Sequence, residues 1–252
     1  MAVPKKKKLT KIDREQQTYS SLQFVNISPK TENQKRAWNS FWASTDNDLF
    51  LYGSAGTGKS FLNLYLALKQ VLSNQTRYEK VVIVRNVVPT RDMGFLPGNS
   101  KEKSKEYEAP YVTICAELFG RADAYELLKR RGTIEFVTTS FLRGTTFRNS
   151  IVIVDECQNL TSHEANTVMT RCGEYVRVLF SGDLKQSDLT IKHKYSEVSG
   201  LADFVKIIKL MKSFTFIEFN TSDIVRSKKV KDYLIIREEL EASGDIIPLS
   251  AM

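Results

Sequence analysis

The sequence predicts an α/β fold: a P-loop NTPase domain with a parallel sheet sandwiched by helices. Three observations carry it. The stretch Gly53-Ser54-Ala55-Gly56-Thr57-Gly58-Lys59-Ser60 lies between an apolar run, Leu49-Phe50-Leu51-Tyr52, and a helix-like run from Phe61 to Leu68. A second apolar run, Ile151-Val152-Ile153-Val154, ends in Asp155-Glu156. Further apolar runs alternate with amphipathic stretches, the pattern of parallel strands joined by right-handed crossovers. At least five strands in one domain follow from that alternation.

In chain order, residues 1–21 are polar and open on Lys5-Lys6-Lys7-Lys8, so they read as a basic, disordered arm. Residues 22–252 then form one domain. Leu22-Gln23-Phe24-Val25 reads as a short strand. Thr31 caps a helix through Trp38, Phe41 and Trp42. Gln34 lies on that helix. Its amide can read a base edge, although pattern alone makes it a surface glutamine. The helix after the glycine-rich loop ends near Ser73-Asn74. Lys80 to Arg85 is a strand covered on both faces. An irregular stretch runs from Asn86 to about Pro110, and an amphipathic helix follows from Tyr111 to Leu128, with Tyr111, Ile114, Cys115, Leu118, Ala122 and Tyr125 on its apolar side. Ile134 to Val137 is a strand, Phe141 to Gly144 a loop, and Ile151 to Glu156 a strand. A helix starts at Thr161 or Ser162. Strand Arg177 to Ser181, helix Val198 to Met211, strand Phe214 to Phe219 and a helix opened by Asp223-Ile224-Val225-Arg226 complete the chain.

The chemistry sits in the motifs. Glycines at 53, 56 and 58 let successive N–H groups curl toward phosphate oxygens, and the following helix N-terminus adds partial positive charge. Gly53 to Ser60, with Phe61 next, are therefore the expected nucleotide contacts. Lys59 reaches the β- and γ-phosphates, and the Ser60 hydroxyl ligates Mg²⁺. Asp155 completes the metal shell and Glu156 polarises the attacking water. Gln186 lies just past a strand, where ligands of open sheets bind. It can contact the γ-phosphate or the water. ATP and Mg²⁺ are the expected ligands.

Composition narrows the classes. A 42% hydrophobic share supports a core across 252 residues, and no apolar run is long enough for a membrane span. The N-terminus lacks the apolar segment of a secretory signal. Cys115, Cys157 and Cys172 have no metal spacing and suit reduced thiols in a cytoplasmic setting. His163 and His193 stand alone. The net charge of +8 suits a polyanion, which makes nucleic acid, RNA or DNA, the expected partner.

Several motifs together resemble the PhoH-like family of ATPases, over roughly Ser28 to Val230. They are the glycine-rich loop, Gly94-Phe95-Leu96-Pro97-Gly98, Phe141-Leu142-Arg143-Gly144, Asp155-Glu156-Cys157-Gln158-Asn159, Ser181 to Leu189, Ser199-Gly200-Leu201 and Asp223 to Arg226. That family is similar to the first RecA-like lobe of superfamily 1 helicases. The resemblance implies adenine recognition by Gln34, γ-phosphate sensing by Gln186, and nucleotide-contacting or subunit-bridging roles for Arg143 and Arg226. The chain departs from the family pattern at Arg143-Gly144-Thr145-Thr146, at Arg85-Asn86 and at Arg91-Asp92. Its short form looks like virally encoded members.

The transferring phosphoryl group needs a further cation, with Arg85, Arg143 and Arg226 as candidates. One lobe fills the chain, so a neighbouring subunit is expected to supply an arginine, which implies a head-to-tail homo-oligomer such as a hexameric ring. Two other readings stand beside hydrolysis: a nucleotide-gated nucleic-acid-binding module, and a kinase acting on a small acceptor.

Overall fold

The computed structural model describes residues 22–73, 75–86, 100–142, 144–183 and 201–246. Six parallel strands form one sheet: β1 (Asp48–Gly53), β2 (Lys80–Arg85), β3 (Ile134–Thr138), β4 (Ser150–Asp155), β5 (Val176–Gly182) and β6 (Phe214–Phe219). Their order is β3-β2-β4-β5-β1-β6. The strands follow from runs of Val, Ile, Leu and Phe, whose successive side chains face opposite sides of the sheet.

That alternation feeds two cores. Leu49, Leu51, Val81, Ile83, Ile151 and Ile153 face one side. They pack under α1 (Glu32–Ala43), α2 (Lys59–Val71), α3 (Ser100–Phe119) and α4 (Ala124–Arg130). Phe50, Val82, Val84, Val152, Val154 and Phe180 face the other side, beneath α5 (Ser162–Thr170) and α6 (Leu201–Lys209). Each fully buried large apolar side chain contributes about 1.5–3 kcal/mol. A last helix, α7 (Lys228–Ser243), follows β6.

Local chemistry sets the ends. The Thr31 hydroxyl accepts the Gln34 N–H at 3.3 Å to start α1. Thr161 and Glu164 form a reciprocal cap on α5. At the start of β5, the wholly buried Arg177 donates to the carbonyls of Asn47 (2.6 Å) and Phe41 (2.7 Å), which ties the end of α1 to the entry of β1. Its guanidinium lies 3.6 Å from the Phe41 ring centre. Burial lowers its pKa to about 10, so it stays charged near neutrality.

The structure corrects four expectations. Leu22 to Val25 is not a strand: the Val25 N–H donates to Leu118 O at the end of α3 instead of joining a ladder. The third helix begins at Ser100, so residues 100–110 are helical rather than irregular, and Pro110 lies inside it. A proline there forfeits one backbone hydrogen bond, which packing of Tyr111, Cys115 and Leu118 outweighs. That helix does not run to Leu128. Gly120 adopts a left-handed φ of 63° and ends it, and α4 starts anew at Ala124. Finally, Asp223 to Arg226 precedes the last helix rather than opening it. A 3₁₀ turn spans Thr221–Asp223, and α7 starts at Lys228. The basic arm (1–21), the Gly94 to Gly98 motif, Arg143 and Gln186 lie outside the described residues.

Candidate nucleotide and metal site

A cleft of about 600 Å³ opens along the C-terminal edge of the sheet. Its floor is the turn from β1 into α2. Gly53 takes φ 111°, and a Cβ there would sit 2.0 Å from the Phe219 carbonyl oxygen of β6, so only glycine fits. The Ser54 N–H donates to that same oxygen at 2.9 Å, which anchors the loop to the sheet. Gly58, at φ 83°, immediately precedes α2 and leaves room for Gln34: a Cβ would stand 3.3 Å from its Nε2.

Lys59 folds back over the loop. Its Nζ donates to the carbonyls of Gly53 (2.7 Å) and Ser54 (2.8 Å) and to Thr57 Oγ1 (3.4 Å). Burial lowers its pKa, opposed by the charges of Asp183, Glu156 and Asp155. These carboxylates favour a retained cation.

Ser60 donates its hydroxyl to Asp155 Oδ1 at 2.7 Å, which joins the first turn of α2 to the end of β4. Ser181 on β5 donates to the same oxygen at 2.7 Å. Tyr111 on α3 donates to Oδ2 at 2.8 Å. Burial, then the Asp155 charge, raises the Tyr111 pKa well above the usual phenol range, so the hydroxyl remains a donor.

Glu156 leaves the strand with φ 51°, a strained value for a glutamate, and begins a 3₁₀ turn over Cys157–Asn159. Gln158 Nε2 donates to its Oε2 at 2.5 Å, and Gln158 Oε1 accepts the Asp183 N–H at 3.0 Å. Burial raises the Glu156 pKa, as does the charge of Asp155. The Gln158 hydrogen bond, Arg85 and Lys59 oppose them.

Gln34 is buried, which corrects the surface reading. Its Nε2 donates to Thr57 O at 2.9 Å and its Oε1 accepts the Lys30 N–H at 2.8 Å. Ala55, Gly56 and Phe61 line the cleft beside it. Arg85 and Arg226 also line it, so two of the three candidate arginines share the cavity with Glu156. Cys115 and Cys157 are buried, and burial pushes Cys115 up to about 12 and Cys157 higher still.

The donor set suits a hydrated Mg²⁺ ion. Ser60 and Asp155 offer hard oxygens at the cleft, and Mg²⁺ takes few protein ligands beside water and phosphate. Among the described residues no cluster of three His, Cys, Asp or Glu side chains could hold a metal unaided, so the ion would come with phosphate oxygens. Among the same residues, no helix is long and apolar enough to cross a membrane.

Sequence pattern missed Tyr111 and Ser181. Tyr111 sat on the apolar face of its helix and read as core. Ser181 had a weak signal: it is the lone hydroxyl that follows the apolar run Val178-Leu179-Phe180, directly before Gly182-Asp183.

Known proteins resemble this chain in sequence and in fold. A family model described as "PhoH-like protein" matches residues 26–237. A PhoH-like protein of Bacillus subtilis is 35% identical over 182 residues, covering 71% of this chain and 55% of the relative. A PhoH-like protein of Synechocystis is 32% identical over 200 residues, covering 79% and 59%. The chain thus spans little more than half the length of these relatives. Among solved structures, the large terminase of a thermophilic bacteriophage superposes with a TM-score of 0.52 at 11% identity, over 82% of this chain and 50% of the terminase. That likeness extends to the fold.

Proposed function

Because this chain belongs to the PhoH-like protein family, we propose that it binds and hydrolyses ATP with Mg²⁺ and couples that hydrolysis to single-stranded RNA or DNA. The observation that carries this reading is the Ser60–Asp155 hydrogen bond at 2.7 Å, with Lys59 on the same loop and Glu156 lining the same cleft.

In this reading the backbone N–H groups of residues 53–60 cradle the phosphates, and Lys59 turns from Thr57 Oγ1 toward the β- and γ-oxygens. Gln34, already seated against Thr57, presents its remaining amide capacity to the adenine edge. Ser60 and Asp155 would hold Mg²⁺. Bound there, Mg²⁺ would neutralise charge on the phosphate oxygens. Glu156 takes the proton of the attacking water. Arg85 and Arg226 supply cationic charge from within the subunit, and Gln186 and Arg143 act at the γ-phosphate or across a subunit boundary. An arginine from a neighbouring copy completes the site in a head-to-tail oligomer. The +8 charge supports a polyanionic track.

The test is phosphate release from Mg·ATP, with and without single-stranded RNA and DNA, using Lys59→Ala as the blank. Hydrolysis stimulated by one polymer supports the coupled motor. Unstimulated hydrolysis leaves an ATPase with another partner. Tight nucleotide binding without turnover would overturn the enzyme in favour of a nucleotide-gated binding module. The trans-acting arginine predicts a specific activity that rises with protein concentration as oligomers form. Full activity in a strictly monomeric sample would remove that part.

A further inference from the structure

Asp155 is buried, and its carboxylate collects three donors: Ser60 and Ser181 on Oδ1, and Tyr111 on Oδ2. A carboxylate offers about four lone-pair sites. Among the described residues three are taken, which leaves one on Oδ2 for a metal or its water. Ser60 is itself an expected ligand. Ser181 and Tyr111 are not, yet together they fix the plane of the carboxylate.

Tyr111 differs from Ser181 in where it comes from. Ser181 belongs to the neighbouring strand, so it is rigid with the sheet. Tyr111 belongs to α3, and its ring rests 5.9 Å from that of Phe136 on β3. One helical turn earlier, the ring of Tyr107 lies 6.0 Å from the Arg85 guanidinium. Arg85 and Asp155 are register partners at the ends of β2 and β4. So two tyrosines on one face of α3 meet two adjacent strand ends, one on the cation and one on the carboxylate.

We propose that Tyr111 is a positioning residue for the metal site: it holds Asp155 Oδ2 so that the remaining lone pair faces the divalent cation beside Ser60. The proposal rests on the ATPase reading above. Removing the hydroxyl frees the carboxylate to turn about its Cβ–Cγ bond, and the cation site loosens while the phosphate loop stays intact. Such outer partners of a ligand carry roughly 10–100-fold in metal affinity.

The experiment measures Mn²⁺ binding to the protein·ADP complex by the loss of the free Mn²⁺ electron paramagnetic resonance signal. Tyr111→Phe keeps the ring and its packing, so melting should move by only a few degrees. We expect the Mn²⁺ dissociation constant to rise about tenfold, with ADP affinity in EDTA changed less than about twofold. In an Asp155→Asn background, the same Tyr111→Phe change should add nothing, because its effect passes through the carboxylate. A purely structural tyrosine would lower stability and ADP affinity in both backgrounds alike. Equal Mn²⁺ affinity in wild type and Tyr111→Phe overturns the proposal. Failure of wild-type protein·ADP to bind Mn²⁺ at all overturns the ATPase reading instead, and the two failures are distinct.

Discussion

Gln158 donates to Glu156 at 2.5 Å from within the same 3₁₀ turn, so the glutamate that follows the fourth strand is held by a residue two positions on. The same glutamine accepts the Asp183 N–H, and the three residues form one chain across the ends of β4 and β5. Glu156 is therefore presented at a fixed angle to the cleft instead of ranging freely in solvent.

Glu156→Gln should abolish turnover while leaving nucleotide bound. The change keeps the backbone and removes the base, so kcat should fall by about 10²–10⁴. Fluorescent-nucleotide affinity should stay within about twofold. Normal hydrolysis by this variant would remove Glu156 from the base role.

Gln158→Ala should move the acid limb of the ATPase pH profile upward. Burial already raises the Glu156 pKa above its ordinary 4.5, and the Gln158 hydrogen bond lowers it again. Without that bond the glutamate protonates at higher pH, and the unprotonated base is lost sooner on acidification. A profile of kcat against pH that stays put, or shifts to lower pH, contradicts the assignment.

Asp48→Asn should flatten the pH dependence of stability between about pH 4 and 6. Burial raises the Asp48 pKa from 3.8 to about 6, against a hydrogen bond from the Val178 N–H. The folded state therefore takes up a proton in that window. Its contribution to stability is fully present below 3.8 and is lost as pH rises through 6. The loss amounts to up to about 3 kcal/mol. Urea unfolding at several pH values should show the wild-type minus variant difference changing by that order, in that direction. A difference independent of pH would count against it.

Gly53→Ala should destabilise far more than Gly244→Ala. Both positions have positive φ, 111° and 81°. At Gly53 the added Cβ meets the Phe219 carbonyl at 2.0 Å, whereas at Gly244 nothing lies within 4 Å. The second should cost on the order of 1 kcal/mol, and the first more than about 3 kcal/mol. Chemical denaturation of the pair measures the gap, and similar losses would disprove the steric account.

The sequence made the sheet legible because parallel strands covered on both sides are written as unbroken apolar runs. Lys80 to Arg85 and Phe214 to Phe219 stand where pattern placed them. The glycine-rich turn was legible because its geometry demands particular residues. The limits of α3 were hidden for the opposite reason. Pro110 ordinarily stops a helix, but tertiary packing overrode that preference, and Gly120 went unread as the stop. Tyr111 was placed correctly in the core, yet periodicity reports only which side a residue faces. It cannot report that one hydroxyl at the rim of that core reaches a carboxylate on another element. Gln34 was misjudged similarly. A polar residue on a helix reads as exposed until the loop that buries it is in place.

The order of the strands bears on how a ribosome must deliver this protein. The strand that leads into the phosphate loop has Leu179 of β5 and Phe214 of β6 among its register partners, both far downstream. β3 and β4 each pair with β2, and these three strands can assemble first. At typical elongation rates β1 then waits on the order of ten seconds for β5 to be synthesised. During that interval Leu49, Phe50 and Leu51, all wholly buried in the finished protein, have no sheet to enter. The segment that carries the nucleotide loop is thus among the last to acquire its shape, and it is the one most in need of shelter from neighbouring nascent chains.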